Sequence, residues 1–432
     1  MALFYITAFA GIYRYNNIMN KHDVIIIGAG PAGLFTGIHC AGKYVKVCVL
    51  EKKLSAGQKL LISGGRKGNI SHIGEVEEFI PHYGDNGKFL KPALYNFPNK
   101  KLIEFFTSKG LKLINNDDGN IFPQSLKAVD VLNLLIKESK NAGVTIKYGQ
   151  EVKDIIYEDN FFKVITNSCK YTSKYLVLAT GGKSYPLTGS TGDGYAFAKK
   201  SGHAVIEPKP ALTSVYIKNH PFADLSGMSF KNINIFLYRN NKKVKKASGD
   251  LLINHKGISG PVVLNMSRYI VPEDVIKICF IAPDARELFR REFYENIENR
   301  HEIQLKSIFN KYLLPKRLIQ TIFQIINISE DIAFTNMDKK RRNLIMEMFM
   351  EFPLTVECLG DFDVAMVTRG GVSLKQVNPK TMESRLIKNL YFVGEILDID
   401  GDTGGYNLQA AFSTAAMAGD IIKKGLSLVS YK

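Results

Sequence analysis

The feature that most constrains this chain is a group of glycines between an apolar segment and a helix-forming segment. Residues 23–28, DVIIIG, form the continuous β-branched run that is typical of a buried parallel strand. Gly28, Gly30 and Gly33 follow with the spacing G-x-G-x-x-G. The first glycine permits a tight turn, the second lets a pyrophosphate approach the backbone, and the third lets helix and strand pack closely. The sequence therefore predicts a βαβ unit that binds phosphates at a helix N-terminus.

A second strand with an acidic end strengthens this prediction. Residues 45–51, VKVCVLE, end in Glu51, which lies 18 residues after the third glycine. An acid at this place accepts hydrogen bonds from ribose hydroxyls and disfavours a 2′-phosphate. Pro31 and Ala32 begin the predicted helix, and Lys52 follows the acid. We include these three residues among those expected at a dinucleotide cofactor.

A glycine-rich loop follows the second predicted strand. Residues 60–72, LLISGGRKGNISH, combine flexible backbone with cationic and amide groups. Such a loop can close over a pyrophosphate or over the edge of a flavin ring, and a solvated basic loop explains it equally well. The cofactor-binding candidates in this loop are Ser63, Gly64, Gly65, Arg66 and Asn69.

A later apolar strand ends in small residues that permit a close approach to a cofactor. Residues 176–182 are LVLATGG, and we expect Thr180, Gly181 and Gly182 to lie beside the cofactor. Val152, at the start of another predicted strand, is also included among the cofactor-binding candidates. The catalytic candidates are Lys183 and Tyr185, which could face a substrate or could equally be packing and capping residues.

The segment near the C-terminus carries the other half of the expected cofactor site. Residues 391–402, YFVGEILDIDGD, contain a strand that ends in Gly394 and Glu395, where a ribityl hydroxyl could be held. The following helix start directs its dipole at the flavin edge where negative charge develops on reduction. It comprises Gly404, Gly405, Tyr406 and Asn407. The alternating aspartates of this segment lack the remaining ligands of an EF-hand, so no metal site is predicted.

Amino-acid composition indicates which kinds of partner the protein binds and in which cellular compartment it is expected. Lys and Arg number 57 against 41 Asp and Glu, a net charge of +16 that favours anionic partners. The basic clusters at 242–246 and 339–342 are explained most simply as a solvated hairpin and helix face, with nucleic-acid binding as the alternative. Five scattered cysteines without a CxxC pair favour the reducing cytoplasm. No apolar run is long enough to predict a transmembrane helix.

The chain is predicted to be an α/β protein with one interrupted domain. Residues 1–22 are predicted to be an N-terminal extension. Buried parallel strands occur in the regions 23–200 and 355–432, which we assign to one discontinuous cofactor-binding domain. Between them, residues 201–354 alternate about Asn240-Asn241 as in an antiparallel hairpin and then become helical and highly charged. This region is the predicted inserted domain.

Together these motifs resemble those of the bacterial BaiN-like flavoproteins, also described as aminoacetone-oxidase-like or NAD(P)/FAD-dependent oxidoreductases. The resemblance extends from about residue 22 to residue 420, and LATGGKSYPLTGSTGDGYAFA is one of its most specific parts. It implies a Rossmann-like FAD-binding domain of the two-dinucleotide-binding-domain flavoprotein type, interrupted by a β-barrel-like domain with a helical portion. The family usually has SGGGRCN where this chain has SGGRKGN, so Arg66 stands at the third glycine and Gly68 at the cysteine.

The resemblance also implies which residues hold each half of FAD. The ADP half would lie on Gly28, Gly30, Gly33 and Glu51, and the cofactor path would pass Thr180 and Gly181. The ribityl and flavin half would lie on Glu395 and on residues 404–407.

These observations predict an FAD-dependent oxidoreductase in which hydride passes between flavin N5 and an unidentified small-molecule substrate. Because there is one convincing dinucleotide motif, NAD(P)H is expected as a transient electron donor if it binds at all. Two alternatives stay open. One is an RNA-modifying flavoenzyme, which the positive charge and the basic insertion suggest. The other is a flavin-binding sensor or partner protein without turnover.

Overall fold

The computed structural model describes residues 20–282, 284–298, 309, 311–312, 314–329 and 337–429. These residues form two units, one made of the chain up to residue 208 together with the chain from residue 370 onward, and one made of residues 209–369. Most of the predicted N-terminal extension lies outside the described residues. The prediction of an extension is wrong for residues 20–22, because they belong to the first strand and pair with residues 171–173.

The secondary structure alternates strands and helices in the first unit and concentrates strands in the second. The strands are β1 (Asn20–Ile27), β2 (Val47–Leu50), β3 (Ser71–His72), β4 (Leu113–Asn115), β5 (Asn120–Pro123), β6 (Thr145–Lys147), β7 (Val152–Glu158), β8 (Phe161–Thr166), β9 (Lys170–Leu178), β10 (Val205–Ala211), β11 (Val215–Ile217), β12 (Ser229–Arg239), β13 (Lys242–Asn254), β14 (Gly257–Ser259), β15 (Val275–Cys279), β16 (Phe352–Leu359), β17 (Val367–Val372) and β18 (Leu390–Phe392).

The helices cover the sheet of the first unit and accompany the strands of the second. They are α1 (Pro31–Cys40), α2 (Gln58–Ile62), α3 (Val76–Phe79), α4 (Gly87–Asn96), α5 (Asn99–Ser108), α6 (Ala128–Asn141), α7 (Asp193–Lys200), α8 (Pro261–Met266), α9 (Arg286–Glu298), α10 (Lys316–Ile325), α11 (Lys339–Met350) and α12 (Tyr406–Val429).

The first unit is built on a seven-stranded sheet with the order β6-β2-β1-β9-β8-β7, in which β18 also pairs with β9. Strands β6, β2, β1, β9 and β18 run parallel. The last four residues of β1 are buried because the strand lies between β2 and β9. Parallel strands end at a common edge, so the residues that follow β1, β2, β9 and β18 are gathered there. A small sheet, β3-β5-β4, completes this unit.

Helices α1 and α12 pack closely because a glycine lies at their crossing. A Cβ atom on Gly419 of α12 would lie 2.5 Å from His39 Cβ and 3.1 Å from Thr36 O, both in α1. One residue further along α12, Asp420 Oδ1 lies 2.9 Å from His39 Nδ1. Burial alone would raise the pKa of Asp420, but hydrogen bonds from His39 and Asn96 and the charges nearby outweigh it and lower the pKa. The pair therefore holds the two helices together.

The second unit contains a closed barrel with the strand order β11-β14-β13-β12-β15-β16. Ile235, Leu237, Ile276 and Leu354 are fully buried on neighbouring strands and contribute to its core. The turn at Asn240-Asn241 joins β12 to β13 with positive φ angles of 48° and 60°, as two-residue hairpins prefer. The barrel agrees with the predicted inserted β-barrel-like domain.

The predicted domain boundaries require a correction. The structure places them after residues 208 and 369, whereas the sequence analysis placed them after residues 200 and 354. Residues 355–359 belong to β16, which closes the barrel by pairing with both β11 and β15. The connecting strands β10 and β17 pair with each other where the chain passes between the two units.

We expect Gly419→Ala to destabilise the protein by about 1–3 kcal/mol, because the added methyl overpacks the α1–α12 crossing. Helix propensity alone predicts the opposite sign, since alanine favours a helix interior over glycine. Urea unfolding measures the difference, with Lys423→Ala at an exposed position of α12 as the control. A Gly419→Ala protein as stable as the parent would contradict this account of the crossing.

Candidate functional site

The turn between β1 and α1 needs its first and third glycines for packing. Gly28 has φ of 104°, and its N–H donates to Leu50 O at 2.8 Å. A Cβ on Gly28 would lie 2.5 Å from Ala179 O, and a Cβ on Gly33 would lie 1.9 Å from Gly28 O. A Cβ on Gly30 would meet no atom within 4 Å. The second glycine therefore leaves open space in front of the first turn of α1, where backbone N–H groups lack intrahelical partners.

Glu51 is fixed beside this turn by two backbone hydrogen bonds. Its carboxylate accepts from Ala29 N and from Lys53 N, each at 2.8 Å. Each oxygen keeps acceptor capacity, so the carboxylate can still bind the two hydroxyls of a ribose. The acid thus stands where the sequence analysis places it, at the end of β2.

The ammonium group of Lys52 contacts residues at the start of α7. Its Nζ donates to Thr191 Oγ1 at 2.5 Å and lies 2.6 Å from Asp193 Oδ2. Burial would raise the pKa of Asp193, but the hydrogen bonds from Lys52 and Thr191 outweigh it and keep the pKa low. The ammonium group therefore joins two loops at the sheet edge.

A buried hydroxyl without a partner lies at the end of β9. Thr180 Oγ1 forms no hydrogen bond with any described residue. A Cβ on Gly194 of α7 would lie 2.0 Å from this oxygen, and a Cβ on Gly28 would lie 3.2 Å from Thr180 Cα. An unsatisfied buried hydroxyl costs about 1–3 kcal/mol, so this oxygen is suited to a ligand that supplies the partner. The adjoining Gly181 has φ of 72°, and Gly182 is buried.

A charged cluster lies at the end of β18. Lys59 Nζ lies 2.9 and 2.7 Å from the two carboxylate oxygens of Glu395 and donates to Ser184 Oγ at 2.5 Å. Ser184 Oγ also donates to Glu395 Oε1 at 3.1 Å. The Lys59 and Glu395 side chains are only 23% and 20% exposed, so the pair is shielded from bulk water. We refer to these three residues as the Lys59 cluster.

Lys59 was not among the residues predicted from the sequence to lie at the site. It lies in α2, directly before the glycine-rich loop at residues 60–72. Its place beside this loop is the signal that the sequence offers. Its partner Glu395 is distant in sequence, so the contact between them is seen only in the folded chain.

The end of β18 also touches the first turn of α1. Gly394 N donates to Thr414 Oγ1 of α12 at 3.0 Å. A Cβ on Gly394, where φ is 72°, would lie 2.9 Å from Ala32 Cβ. The two predicted halves of the cofactor site, one near each end of the chain, are therefore adjacent.

The backbone conformation of the loop at residues 63–69 explains why the sequence SGGGRCN of the resembling family has glycines there. Gly64, Gly65 and Arg66 have φ of 55°, 64° and 70°, and all three are exposed. A left-handed conformation costs a non-glycine residue roughly 1–2 kcal/mol. Arg66 thus carries a backbone strain that a glycine at the same position would avoid.

Asn69 connects this loop to the loop before α12. With its amide oriented to satisfy its neighbours, Asn69 accepts from Gly405 N at 3.2 Å and donates to Ser71 O at 2.8 Å. Gly405 has φ of 92°, and a Cβ there would lie 2.4 Å from Ser71 O. The approach of the two loops therefore depends on Gly405.

Tyr406 and Asn407 hold the start of α12 by their side chains. The Tyr406 ring is buried and stacks on His82 at 4.0 Å between ring centroids and on His72 at 5.2 Å. Burial raises the pKa of Tyr406 to about 12. Asn407 accepts from Gly401 N at 2.7 Å and donates to Gly401 O at 2.9 Å. These contacts position the helix N-terminus.

The catalytic candidates flank Ser184 of the Lys59 cluster. Lys183 is exposed, whereas Tyr185 is half-buried and has φ of 52°. Burial raises the pKa of Tyr185, so its hydroxyl stays protonated at neutral pH and can donate a hydrogen bond. Val152 begins β7 and pairs with Thr166 of β8.

The described residues bear on metal binding and on membrane insertion. Among the residues that the structure describes, no three His, Cys, Asp or Glu side chains lie close enough together to hold a metal ion. No helix within the same ranges is long and apolar enough to cross a membrane.

Comparison with characterised proteins shows relatives that match nearly the whole chain. A 3-dehydro-bile acid delta(4,6)-reductase of Clostridium scindens is 29% identical over 91% of this chain and 97% of its own length. A ribosomal RNA dihydrouridine synthase of Haemophilus influenzae is 32% identical over 90% of this chain and 96% of its own. An enzyme of the same name from Escherichia coli is 28% identical over 94% and 99%.

Solved structures share the fold at low sequence identity. A 3-ketosteroid-delta4-(5alpha)-dehydrogenase of Rhodococcus jostii is 13% identical, with a TM-score of 0.51 over 96% of this chain and 98% of the other. The E. coli quinol fumarate reductase subunit FrdA is 15% identical, with a TM-score of 0.50 over 95% and 71%. These likenesses support the Rossmann-type fold.

The predictions of a Rossmann-like FAD-binding domain and of an FAD-dependent oxidoreductase are confirmed by these comparisons. The profile described as the HI0933-like protein Rossmann domain matches residues 22–421. Because this match covers almost all of the sequence, the chain belongs to the HI0933-like family of Rossmann-domain proteins.

Proposed function

We propose that this protein reduces a carbon–carbon double bond that is conjugated to a carbonyl group. The observation that carries the proposal is the pair of near-full-length relatives named for a bile acid delta(4,6)-reductase and a dihydrouridine synthase. A 3-dehydro steroid with these double bonds and a uracil ring both present an alkene in conjugation with a carbonyl. Reduction of one such double bond adds a hydride to its carbon farther from the carbonyl and a proton to its carbon nearer the carbonyl. The two substrates differ in size but not in this chemistry.

The residues at the sheet edge fit the two ends of FAD. The open space at Gly30 suits the pyrophosphate, Glu51 suits the adenosine ribose, and the unpartnered Thr180 hydroxyl suits a polar atom of the cofactor. Glu395 would hold a ribityl hydroxyl, and the N-terminus of α12 would face the flavin. When bound, FAD supplies the hydride chemistry, and a reduced nicotinamide is the class of donor that would replenish it.

The chain's own residues would position the cofactor and supply the proton. The Lys59 cluster neutralises and orients the Glu395 carboxylate, which keeps it available for a hydroxyl. Tyr185 remains protonated at neutral pH and is our candidate for the proton donor, with Lys183 as the alternative on the same loop. Both assignments are proposals that substitution can test.

Gly30→Val should weaken FAD binding at least tenfold while leaving the unfolding of the cofactor-free protein nearly unchanged. The valine side chain would fill the space proposed for the pyrophosphate, and the extended backbone at Gly30 accepts any residue. Absorbance near 450 nm after purification and titration with FAD measure the effect. Gly33→Ala is the contrasting control, because its methyl would clash with Gly28 O and lower stability even without FAD. Normal FAD affinity in Gly30→Val would refute the placement of the pyrophosphate.

Lys59→Met should lower FAD affinity about tenfold, because it leaves the shielded Glu395 carboxylate without its cation. Lys59→Arg keeps the charge and should retain most of the affinity. Lys423→Met on exposed α12 surface is the control for loss of a positive charge elsewhere in the same unit. If Lys59→Met and Lys423→Met bind FAD equally well, the cluster does not serve the cofactor.

Turnover tests the reaction itself. The holoenzyme is reduced anaerobically with NADH or NADPH and then mixed with a 4,6-dien-3-one steroid or with uridine-containing RNA, while flavin absorbance is followed. We expect one of these substrates to reoxidise the flavin and to gain two hydrogens by mass spectrometry. Tyr185→Phe should slow this step while retaining FAD. Reoxidation by neither substrate would overturn the proposal and favour a flavin-binding protein without turnover.

A further inference from the structure

Two loops of the first unit lie against each other beside the proposed site. One is the loop at residues 63–69, which we call the glycine loop. The other comprises residues 124–127, which precede α6 and which we call the α6 loop. A Cβ atom on Gly68 would lie 2.8 Å from Cα of Ala128, where α6 begins. The backbones touch at this point, so the two loops present one continuous surface.

The glycine loop is attached at both ends to residues that we assign to the cofactor. Lys59, in the helix directly before the loop, pairs with Glu395. Asn69, the last residue of the loop, accepts a hydrogen bond from Gly405 N, just before α12. Because Glu395 and the N-terminus of α12 are proposed to hold the ribityl and flavin half, the glycine loop borders the flavin end of the site.

Each of the two loops holds one residue with a side chain in the left-handed backbone region. The φ angle is 70° at Arg66 in the glycine loop and 55° at Leu126 in the α6 loop. Asn and Asp enter this region more readily than other residues. In the described part of the first unit, the remaining residues with positive φ that are not Gly, Asn or Asp are Tyr185 and Met382. Two of the four costly positions therefore lie on touching loops, and retained backbone strain of this kind is common where a protein binds a ligand.

The strained arginine belongs to a group of three cations without an acidic counterpart. Arg66, Lys67 and Lys127 are all exposed. Within the ranges that the structure describes, none of the three lies within 4.0 Å of a carboxylate oxygen. The acid nearest to them along the α6 segment is Asp130, which accepts a hydrogen bond from Ser125 Oγ instead. The two loops thus carry uncompensated positive charge.

A solvated basic loop does not account for this combination. A guanidinium surrounded by water gains nothing from a left-handed backbone, and neighbouring cations repel one another. Both costs are offset when an oxyanion binds, because a guanidinium offers two parallel N–H donors to a carboxylate or a phosphate. Leu126 and Val129, which are exposed on the α6 side, suit an apolar body that carries such a group.

We propose that Arg66, together with Lys67 and Lys127, binds an oxyanionic group of the substrate, either a carboxylate or a phosphate. Arg66 is then a specificity-determining residue that favours charged substrates over uncharged ones of the same shape. The proposal rests on the proposed function, because it takes the space beside the glycine loop as the place of the substrate. It concerns binding and includes no chemical step, so it is tested on the oxidised protein without turnover.

The binding experiment titrates the oxidised holoenzyme and follows the flavin absorbance. One pair of probes is a 4,6-dien-3-one steroid with a side-chain carboxylate and its methyl ester, and the other is uridine 5′-monophosphate and uridine. We expect the protein to bind the charged member of one pair at least tenfold more tightly than the neutral member. Arg66→Gly and Arg66→Ala should each lower this ratio at least fivefold. Lys43→Gly, which removes an exposed cation from the turn between α1 and β2, should leave the ratio within twofold.

Urea unfolding of the cofactor-free proteins tests the strain separately. Arg66→Gly removes the charge and the strain, whereas Arg66→Ala removes the charge and keeps the strained backbone. We expect the unfolding equilibrium constant of Arg66→Gly to be at least fivefold smaller than that of Arg66→Ala. The order should be reversed for Lys43→Gly and Lys43→Ala, because Lys43 does not have positive φ and glycine makes the unfolded chain more flexible.

Equal affinity for the charged and neutral members of both pairs, or no binding of any probe, would overturn the proposal. So would an unchanged ratio in the two Arg66 variants, or an Arg66→Gly protein no more stable than Arg66→Ala. Binding that depends on charge and on Arg66, without reduction of the bound probe, would sustain the role of Arg66 and reject the proposed reaction. Reduction of a probe whose affinity is independent of Arg66 would do the reverse, so the two failures are distinguishable.

Discussion

The close approach of main chain to main chain at the end of β1 is the constraint on which the rest of the first unit depends. Gly28 and Gly33 leave no room for a side chain, because Ala179 O and Gly28 O occupy the positions that a Cβ would take. This contact fixes α1 against the sheet between the ends of β2 and β9. Every polar group that we assign to the cofactor then lies on the edge that this packing defines.

The two halves of the site are joined by contacts of different physical kinds. The Lys59 cluster joins α2 to the end of β18 through charge, with little solvent to screen it. Asn69 and Gly405 join two loops, because the Gly405 N–H donates a hydrogen bond to the Asn69 side chain. Gly394 has no side chain, and this lets the end of β18 approach α1 closely. Because each contact links segments distant in sequence, the site exists only once the whole sheet has formed.

Local patterns in the sequence predicted the elements whose signals are local. The strand predicted in residues 23–28 and the hairpin predicted about Asn240-Asn241 are both observed, since a β-branched run marks the first and a turn between alternating segments marks the second. Strands β11, β14 and β16 were not identified, because their pairing partners lie far away in the chain. Lys59 was missed for the same reason. Periodicity shows which face of an element is buried, but not which distant residue it meets.

The position of α12 has a consequence for biosynthesis. A ribosome completes residues 209–369, which form a unit of their own, before it makes β18 and α12 of the other unit. The N-terminal glycine turn therefore emerges first but must wait for the last segments of the chain to cover α1 and to bring Glu395 to the edge of the sheet. Capture of the flavin is thus expected only after β18 and α12 have been made, and chains that stop before β18 would be colourless.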